Sequence, residues 1–173
     1  MNRNIEDKFK KIYEEESDAI FRFCLVRVSD RDQAIDITQD AFMRLWNNLL
    51  EEKEITNYRA FLFTITRNLI IDWHRKKKSI SLDNMLNNEN GQFDLIDNNA
   101  TNNIELKSEG KYVLDKISEL PETYQTPVYL RFVEDLSPPE IGQILNLSAN
   151  AVSVRINRGL EELRKITGYS DEI

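Results

Sequence analysis

One cysteine, Cys24, and one histidine, His74, are all the thiol and imidazole that this chain of 173 residues has. A lone thiol excludes an internal disulfide framework and fits a reducing cytoplasm. The two side chains together fall short of a Cys/His zinc site, so no metal and no other cofactor is expected. Glycine and proline are scarce, with five and four copies, while leucine, isoleucine, glutamate and lysine are common, which favours helices. No apolar run approaches the roughly 20 residues that a membrane helix needs. The N-terminal stretch MNRNIEDKFKK is polar and carries no signal-peptide core, so no membrane insertion is expected.

Positive charge is short as well. The formal net charge is −7, which looks wrong for a protein that grips nucleic acid. Its distribution is more informative. Residues 1–78 carry 15 basic and 14 acidic side chains, residues 79–110 carry one and six, and residues 111–173 carry seven and ten. The acidity is concentrated in the middle, where residues 79–105 hold eight asparagines, five acids and no lysine or arginine. Asparagine and glycine compete with helix and favour turns and disorder. The sequence therefore predicts an all-α chain of two small helical domains, 1–78 and 106–173, joined by a flexible acidic linker, 79–105. Met85, Leu86, Phe93, Leu95 and Ile96 are short apolar anchors within that linker.

Helical periodicity fills the rest. Over residues 6–28, Phe9, Ile12, Tyr13, Ile20, Phe23, Cys24 and Val28 fall at helical spacing, and Ser17 and Asp18 offer a break into two helices. Cys24 lies on the apolar stripe as a small hydrophobe. A second helix spans about Arg31 to Leu50, with Asp30 and Gln33 at capping-box spacing. Its core face is Ala34, Ile37, Thr38, Ala41, Phe42, Leu45, Trp46 and Leu49. The opposite face holds Asp36, Gln39, Asp40, Met43 and Asn47, either a solvated surface or a docking face with methionine at its centre. A third helix starts near Asn57 or Tyr58. Leu62, Ile65, Leu69 and Trp73 mark its buried stripe, with Thr64, Asn68, Asp72, Arg75 and Lys76 along another face. Cations at its end complement the helix dipole, but the five basic or potentially basic positions from His74 to Lys78 exceed that need. With Tyr58, Phe61, Phe63 and Trp73 near in sequence, the pattern suits a nucleic-acid surface.

In the second domain an amphipathic helix (Leu106, Val113, Leu114, Ile117) stops at Leu120–Pro121, and another covers about Glu122 to Glu134. Pro127 either kinks that helix or starts it, with Thr126 as the cap. From Leu136 to Lys165 two helices flank a very short turn. Ser137, Pro138 and Glu140 form a helix start with a capping box, Asn146 and Leu147 turn the chain, and Ser148 caps again. Val152, Ile156, Leu160 and Leu163 make the inner stripe of the last helix, and Asn150, Ser153, Arg155, Asn157 and Arg158 lie off it. This is a helix-turn-helix within a four-helix domain, or else an ordinary antiparallel helix pair. In the first case the last helix suits the major groove, where arginine pairs with guanine edges and asparagine with adenine.

Three stretches together, AIDITQDAFMRLW at 34–46, FLFTITRNLIIDWHRKKK at 61–78 and residues 120–165, resemble bacterial RNA polymerase sigma factors of the small two-domain, extracytoplasmic-function group. The resemblance implies that Asp36, Gln39, Asp40 and Met43 dock on the clamp helices of the polymerase largest subunit. It places the family's Asn and basic pattern for recognising and melting the downstream promoter element on Asn68, Asp72, Arg75, Lys76 and Lys77. The resemblance also implies that a flipped base would be held at the loop spelled here EEKEITNY, which includes Tyr58 and departs from the commoner aromatic-Arg-Gly pattern. Residues 149–164 would read the upstream element through Asn150, Ser153, Arg155, Asn157 and Arg158, with Ser153 and Val154 where relatives often have Lys and Ser. The acidic linker resembles the family connector that runs through the polymerase. The partners so implied are core RNA polymerase and promoter DNA, with an anti-sigma protein left open, and the protein catalyses nothing itself.

Two rival functions follow from the residues alone. A stand-alone helix-turn-helix regulator would bind its operator as a dimer, yet the last helix shows no long dimer seam. An enzyme acting on nucleic acid would need clustered carboxylates or a nucleophile–base pair, and no His or third acid converges on Asp36 and Asp40.

Overall fold

The computed structural model of the chain describes residues 3–87 and 108–168. Among them are seven helices and no strand, in agreement with the all-α expectation. The chain divides into two compact units, 1–103 and 104–173. The linker character of residues 88–105, the anchors Phe93, Leu95 and Ile96, and the contribution of Leu106 lie outside the described residues. No described helix is long and apolar enough to cross a membrane.

In the first unit, α1 (Arg3–Val28), α2 (Arg31–Leu50) and α3 (Tyr58–Asn87) pack mutually. The break offered by Ser17 and Asp18 does not occur, and α1 is one helix. The apolar stripe crosses those residues without losing phase, from Ile12 to Ala19, Ile20 and Phe23, all buried. Burying it outweighs the few tenths of a kcal/mol by which Ser and Asp disfavour helix, about 0.5–0.7 each. Phe9, Tyr13, Phe42 and Trp46 lock α1 to α2 through ring contacts of 4.8–6.2 Å. At the other end, the Oδ1 of Asp30 accepts from the Gln33 amide at 3.0 Å and caps α2. Cys24 is buried, and that burial pushes its thiol up to about 12. It stays protonated and inert near neutrality, as its place on the stripe predicts.

Helix α3 corrects the sequence in two respects. Its buried residues are Ala60, Leu62, Phe63, Thr66 and Ile70, while Ile65, Leu69 and Trp73 are only half-buried. The segment is apolar almost all round, so periodicity alone cannot choose its inner face. It also continues past Lys78 to Asn87, into the stretch read as flexible linker. The Oδ1 of Asn57 accepts from the Ala60 amide at 2.9 Å and starts the helix. Arg59 joins it to α1 through a 3.0 Å ion pair with Glu16.

The second unit comprises α4 (Ser108–Ser118), α5 (Glu122–Phe132), α6 (Pro138–Leu145) and α7 (Ala149–Thr167). Pro127 lies inside α5, so Thr126 is not a cap. The carbonyl left without its amide partner belongs to Thr123, an exposed residue where water can serve it. Leu114, Ile117, Leu120, Val128, Tyr129, Leu130, Ile141, Ile144, Val152 and Ile156 form the core. Gly159 sits where α7 crosses α5: a Cβ there would lie 2.5 Å from Val128 Cγ2 and 3.2 Å from Tyr124 Cβ.

Candidate polymerase and nucleic-acid interfaces

The outer face of α2 is continuous. Asp36, Gln39 and Asp40 are exposed, Met43 is 58% exposed, and Asn47 and Leu50 (49%) extend the same stripe at intervals of three or four residues. The core residues Ala34, Ile37, Thr38, Ala41, Phe42, Leu45 and Leu49 occupy the opposite side. The stripe from Asp36 to Leu50 is about 21 Å long at 1.5 Å per residue. It is apolar at Met43 and Leu50 and acidic at its N-terminal end. Leu50 escaped the reading of the sequence, although its spacing of seven from Met43 marks it.

On α3, Asn68, Asp72 and Arg75 share one side of the helix, away from the core face. The Nη2 of Arg75 donates to Asp72 Oδ1 at 3.0 Å on an exposed surface, a contact worth little to stability and free to exchange for a phosphate. Ile71, 47% exposed, lies between Arg67, Asn68 and Arg75 on this side. Lys76 is adjacent to Asp72. Lys77 is not with them: nine residues from Asn68 place it about 180° round the helix, where its Nζ lies 4.9 Å from the centroid of the Trp73 ring. The Nε2 of His74 is 3.2 Å from the backbone carbonyl oxygen of Arg27, a contact that ties α3 to the end of α1.

Tyr58 stands apart from that group. It lines an open cleft of about 620 Å³ with Asn4, Ile5, Lys8, Glu52, Glu54 and Ile55. The Lys8 ammonium sits 4.9 Å over the tyrosine ring. The cleft lies at the EEKEITNY loop, which turns at Glu52 through a left-handed φ of 52°. Its volume is on the scale of small-ligand sites, roughly 300–1,000 Å³, and it offers an aromatic face, two carboxylates (Glu52, Glu54) and two ammonium groups (Lys8, Lys53). Among the described residues no group of three or more His, Cys, Asp or Glu side chains is placed to hold a metal ion.

The turn between α6 and α7 is tightly determined. The Glu140 carboxylate accepts from both the amide (2.8 Å) and the hydroxyl (2.6 Å) of Ser137. Asn146 takes φ 54° and ψ 50°, a left-handed conformation that asparagine tolerates better than most residues. The Leu147 amide returns to Gly142 O at 2.9 Å, and a Cβ on Gly142 would stand 2.6 Å from Leu147 O. Only glycine lets the two segments approach so closely. Ser148 Oγ then accepts from the Ala151 amide at 3.1 Å and starts α7.

The predicted reading residues of α7 do not share one surface equally. Asn150, Asn157 and Arg158 are exposed, with Val154, 41% exposed, in their midst. Ser153 is half-buried and its hydroxyl donates to Ala149 O at 2.9 Å. Arg155 is also half-buried, about 140° round the helix from Asn150. The outer face is therefore Asn150, Val154, Asn157 and Arg158, with Arg155 at its flank.

Two stretches of the chain match known family regions. Residues 12–80 match the family described as sigma-70 region 2, and residues 111–163 match sigma-70, region 4. The chain is 32% identical over 169 residues to the ECF RNA polymerase sigma factor SigW of Bacillus subtilis (strain 168), covering 92% of this chain and 89% of the relative. It is 28% identical over 166 residues to SigM of the same organism, covering 94% and 98%. Its fold is similar to that of the sigma factor RpoE from Bartonella quintana, solved with the anti-sigma factor NepR: TM-score 0.71, 20% identity, 94% of this chain and 98% of that one. A similar likeness, TM-score 0.68 at 20% identity over 94% of this chain and 89% of that one, holds for CnrH in complex with the cytosolic domain of CnrY. With one family region in each unit, in chain order, and a similar relative aligned along nearly its whole length, the chain belongs to the extracytoplasmic-function group of RNA polymerase sigma factors, which bind core polymerase and bring it to promoter DNA.

Proposed function

We propose a division of labour between the two units of this sigma factor. The α2 stripe of Asp36, Gln39, Asp40 and Met43 docks on core polymerase. The α3 side bearing Asn68, Asp72, Arg75 and Lys76, with the Tyr58 cleft, takes the strand exposed when the promoter melts. Helix α7 reads the upstream element. The observation that carries this reading is the outer face of α7. Two asparagines and an arginine stand exposed on the second helix of a helix-turn-helix whose turn is fixed by Gly142 and Asn146. Lys77, turned away from Asn68, serves as a phosphate contact at most. The protein is a cytoplasmic, non-catalytic subunit, and an anti-sigma protein, as NepR is to RpoE, is a fitting regulator. A stand-alone regulator is disfavoured, because family likeness extends through the first unit as well as the second.

Two sets of variants test the assignment. Asn68→Ala and Arg75→Ala are expected to impair promoter opening more than polymerase binding, read as lower permanganate reactivity of unpaired thymines in holoenzyme complexes. Normal opening by both variants would remove them from the site. Arg158→Ala is expected to cost about 1–3 kcal/mol on the preferred upstream element and to flatten preference at one position. Arg155→Ala, at the flank of the face, is expected to weaken all upstream sequences alike, as loss of a phosphate contact does. Reversed behaviour of the two arginines in a binding series over single-base variants would contradict the placement of the face.

A further inference from the structure

Val154 occupies the middle of the surface just described. It is four residues from Asn150 and four from Arg158, and three from Asn157, so all four side chains adjoin on one side of α7. It is 41% exposed, and the other exposed side chains from Asn150 to Lys165 are polar or charged. The fold of the second unit gains little from it. The inner stripe is filled by Val152 and Ile156, and a β-branched side chain at a solvent position restricts its own rotamers in a helix. A single exposed apolar side chain is ordinary on a protein surface. One at the centre of a base-reading face is not, because there it meets either a polar base edge, which it would leave unpaired, or the one apolar group that base edges present in the major groove.

That group is the C5-methyl of thymine. We propose that Val154 is a specificity residue that packs its branched methyls on a thymine methyl of the upstream promoter element. The inference rests on the reading of α7 as the upstream recognition helix and goes beyond it by naming the base and the atom. Asn150 and Arg158 are about 12 Å apart along the helix axis at 1.5 Å per residue, which spans three to four base steps of about 3.4 Å. Val154 lies midway. Its thymine is therefore expected within one or two base pairs of those contacted by its two polar neighbours. The side chain is short and has no donor or acceptor, so it confers preference by packing on the methyl and by leaving unpaired any base edge that needs a hydrogen-bond partner.

The test uses holoenzyme, core polymerase with the full chain, and a promoter whose upstream element has been selected from a randomised library. Each thymine of that element, on either strand, is replaced in turn by deoxyuridine, which removes the methyl and nothing else. At one position the affinity is expected to fall about three- to fivefold, the effect of one buried methyl. Val154→Ala should bind the unmodified element more weakly by a similar factor and should no longer respond to deoxyuridine at that position, the non-additivity expected of two groups in contact. The substitution is at an exposed helical site and favours helix, so the fold is not at stake. A selected element without thymine opposite α7, an element in which no thymine responds to loss of its methyl, or an undiminished response in Val154→Ala overturns the inference while leaving the recognition helix in place. A holoenzyme indifferent to every upstream sequence overturns both.

Discussion

Gly159→Val is expected to disable the second unit while leaving polymerase binding by the first intact. The reason is a helix crossing. A Cβ at this position would lie 2.5 Å from Val128 Cγ2 and 3.2 Å from Tyr124 Cβ, so α5 and α7 would have to separate. Neither helix has room to move. Val128, Tyr129 and Leu130 of α5 are buried, Val128 against Gly159 itself, and Val152 and Ile156 are buried on the same side of α7 as Gly159. Overpacking of this kind typically costs about 1–3 kcal/mol, occasionally more. Valine adds two γ-methyls beyond the clash already present at Cβ. A unit of this size holds only about 3–5 kcal/mol in its core, so most of its stability is expected to go. Hydrogen exchange of the α5 and α7 amides should rise towards that of an unfolded chain. Holoenzyme should form, yet lose its preference for promoters. Gly159→Ala should be milder, because alanine regains about 1 kcal/mol of helix propensity against a smaller clash. Native-like protection of α7 in Gly159→Val would show that the helices do not cross as closely as described.

The double variant Asp40→Lys, Met43→Glu is expected to weaken binding to core polymerase by at least tenfold. Both positions are exposed, and neither side chain supports the fold. The substitutions should therefore change stability by no more than about 0.5 kcal/mol. A lysine introduced in place of Asp40 would even face Asp36 at helical spacing, a mildly favourable pair. At an interface the same changes reverse one charge and place another on the apolar centre of the stripe. Truncation of a central contact alone commonly costs about 2 kcal/mol or more. Co-elution with core polymerase and competition against a labelled wild-type chain measure the loss, and an unchanged melting temperature separates it from misfolding. Normal competition by the double variant would remove α2 from the docking surface.

How legible such features were depended on whether their cause was local. Helix α2 could be read almost residue by residue, because it has one cap, one apolar face and one polar face, and its buried residues match the expected core apart from the half-buried Trp46. The α6–α7 turn was legible for the same reason, with Ser137, Glu140, Asn146 and Ser148 each acting on backbone groups a few residues away. Helix α3 was not. Apolar residues surround it, so only packing against α1 and α2 selects Leu62, Phe63, Thr66 and Ile70 as its inner face. The separation of Lys77 from Asn68 has another origin, since nine residues of helix place them on opposite sides whichever face is buried. The two glycines were illegible for a different reason. Gly142 and Gly159 take their importance from Leu147 O and from Val128, atoms that no helical periodicity brings to mind. At Ser17 and Asp18 a weak local preference was overruled by an unbroken buried stripe. Among the reading residues, Arg155 and Arg158 differ in their phase against the inner stripe of Val152 and Ile156, already evident in the sequence, and that phase puts one at the flank and the other on the face.

This chain is expected to recognise promoters as a subunit of polymerase and not alone. Duplex binding depends strongly on neutralising phosphates and releasing counterions. The chain carries a net charge of −7, with five acids and no lysine or arginine in residues 79–105. Fluorescence anisotropy of a labelled promoter duplex at fixed salt, titrated with the protein in the presence and absence of core polymerase, tests the claim directly. The free protein is expected to bind weakly, with strong salt sensitivity and little sequence preference, and the complex with core to bind tightly and selectively. Sequence-specific nanomolar binding by the free protein, unchanged when core is added, would contradict it.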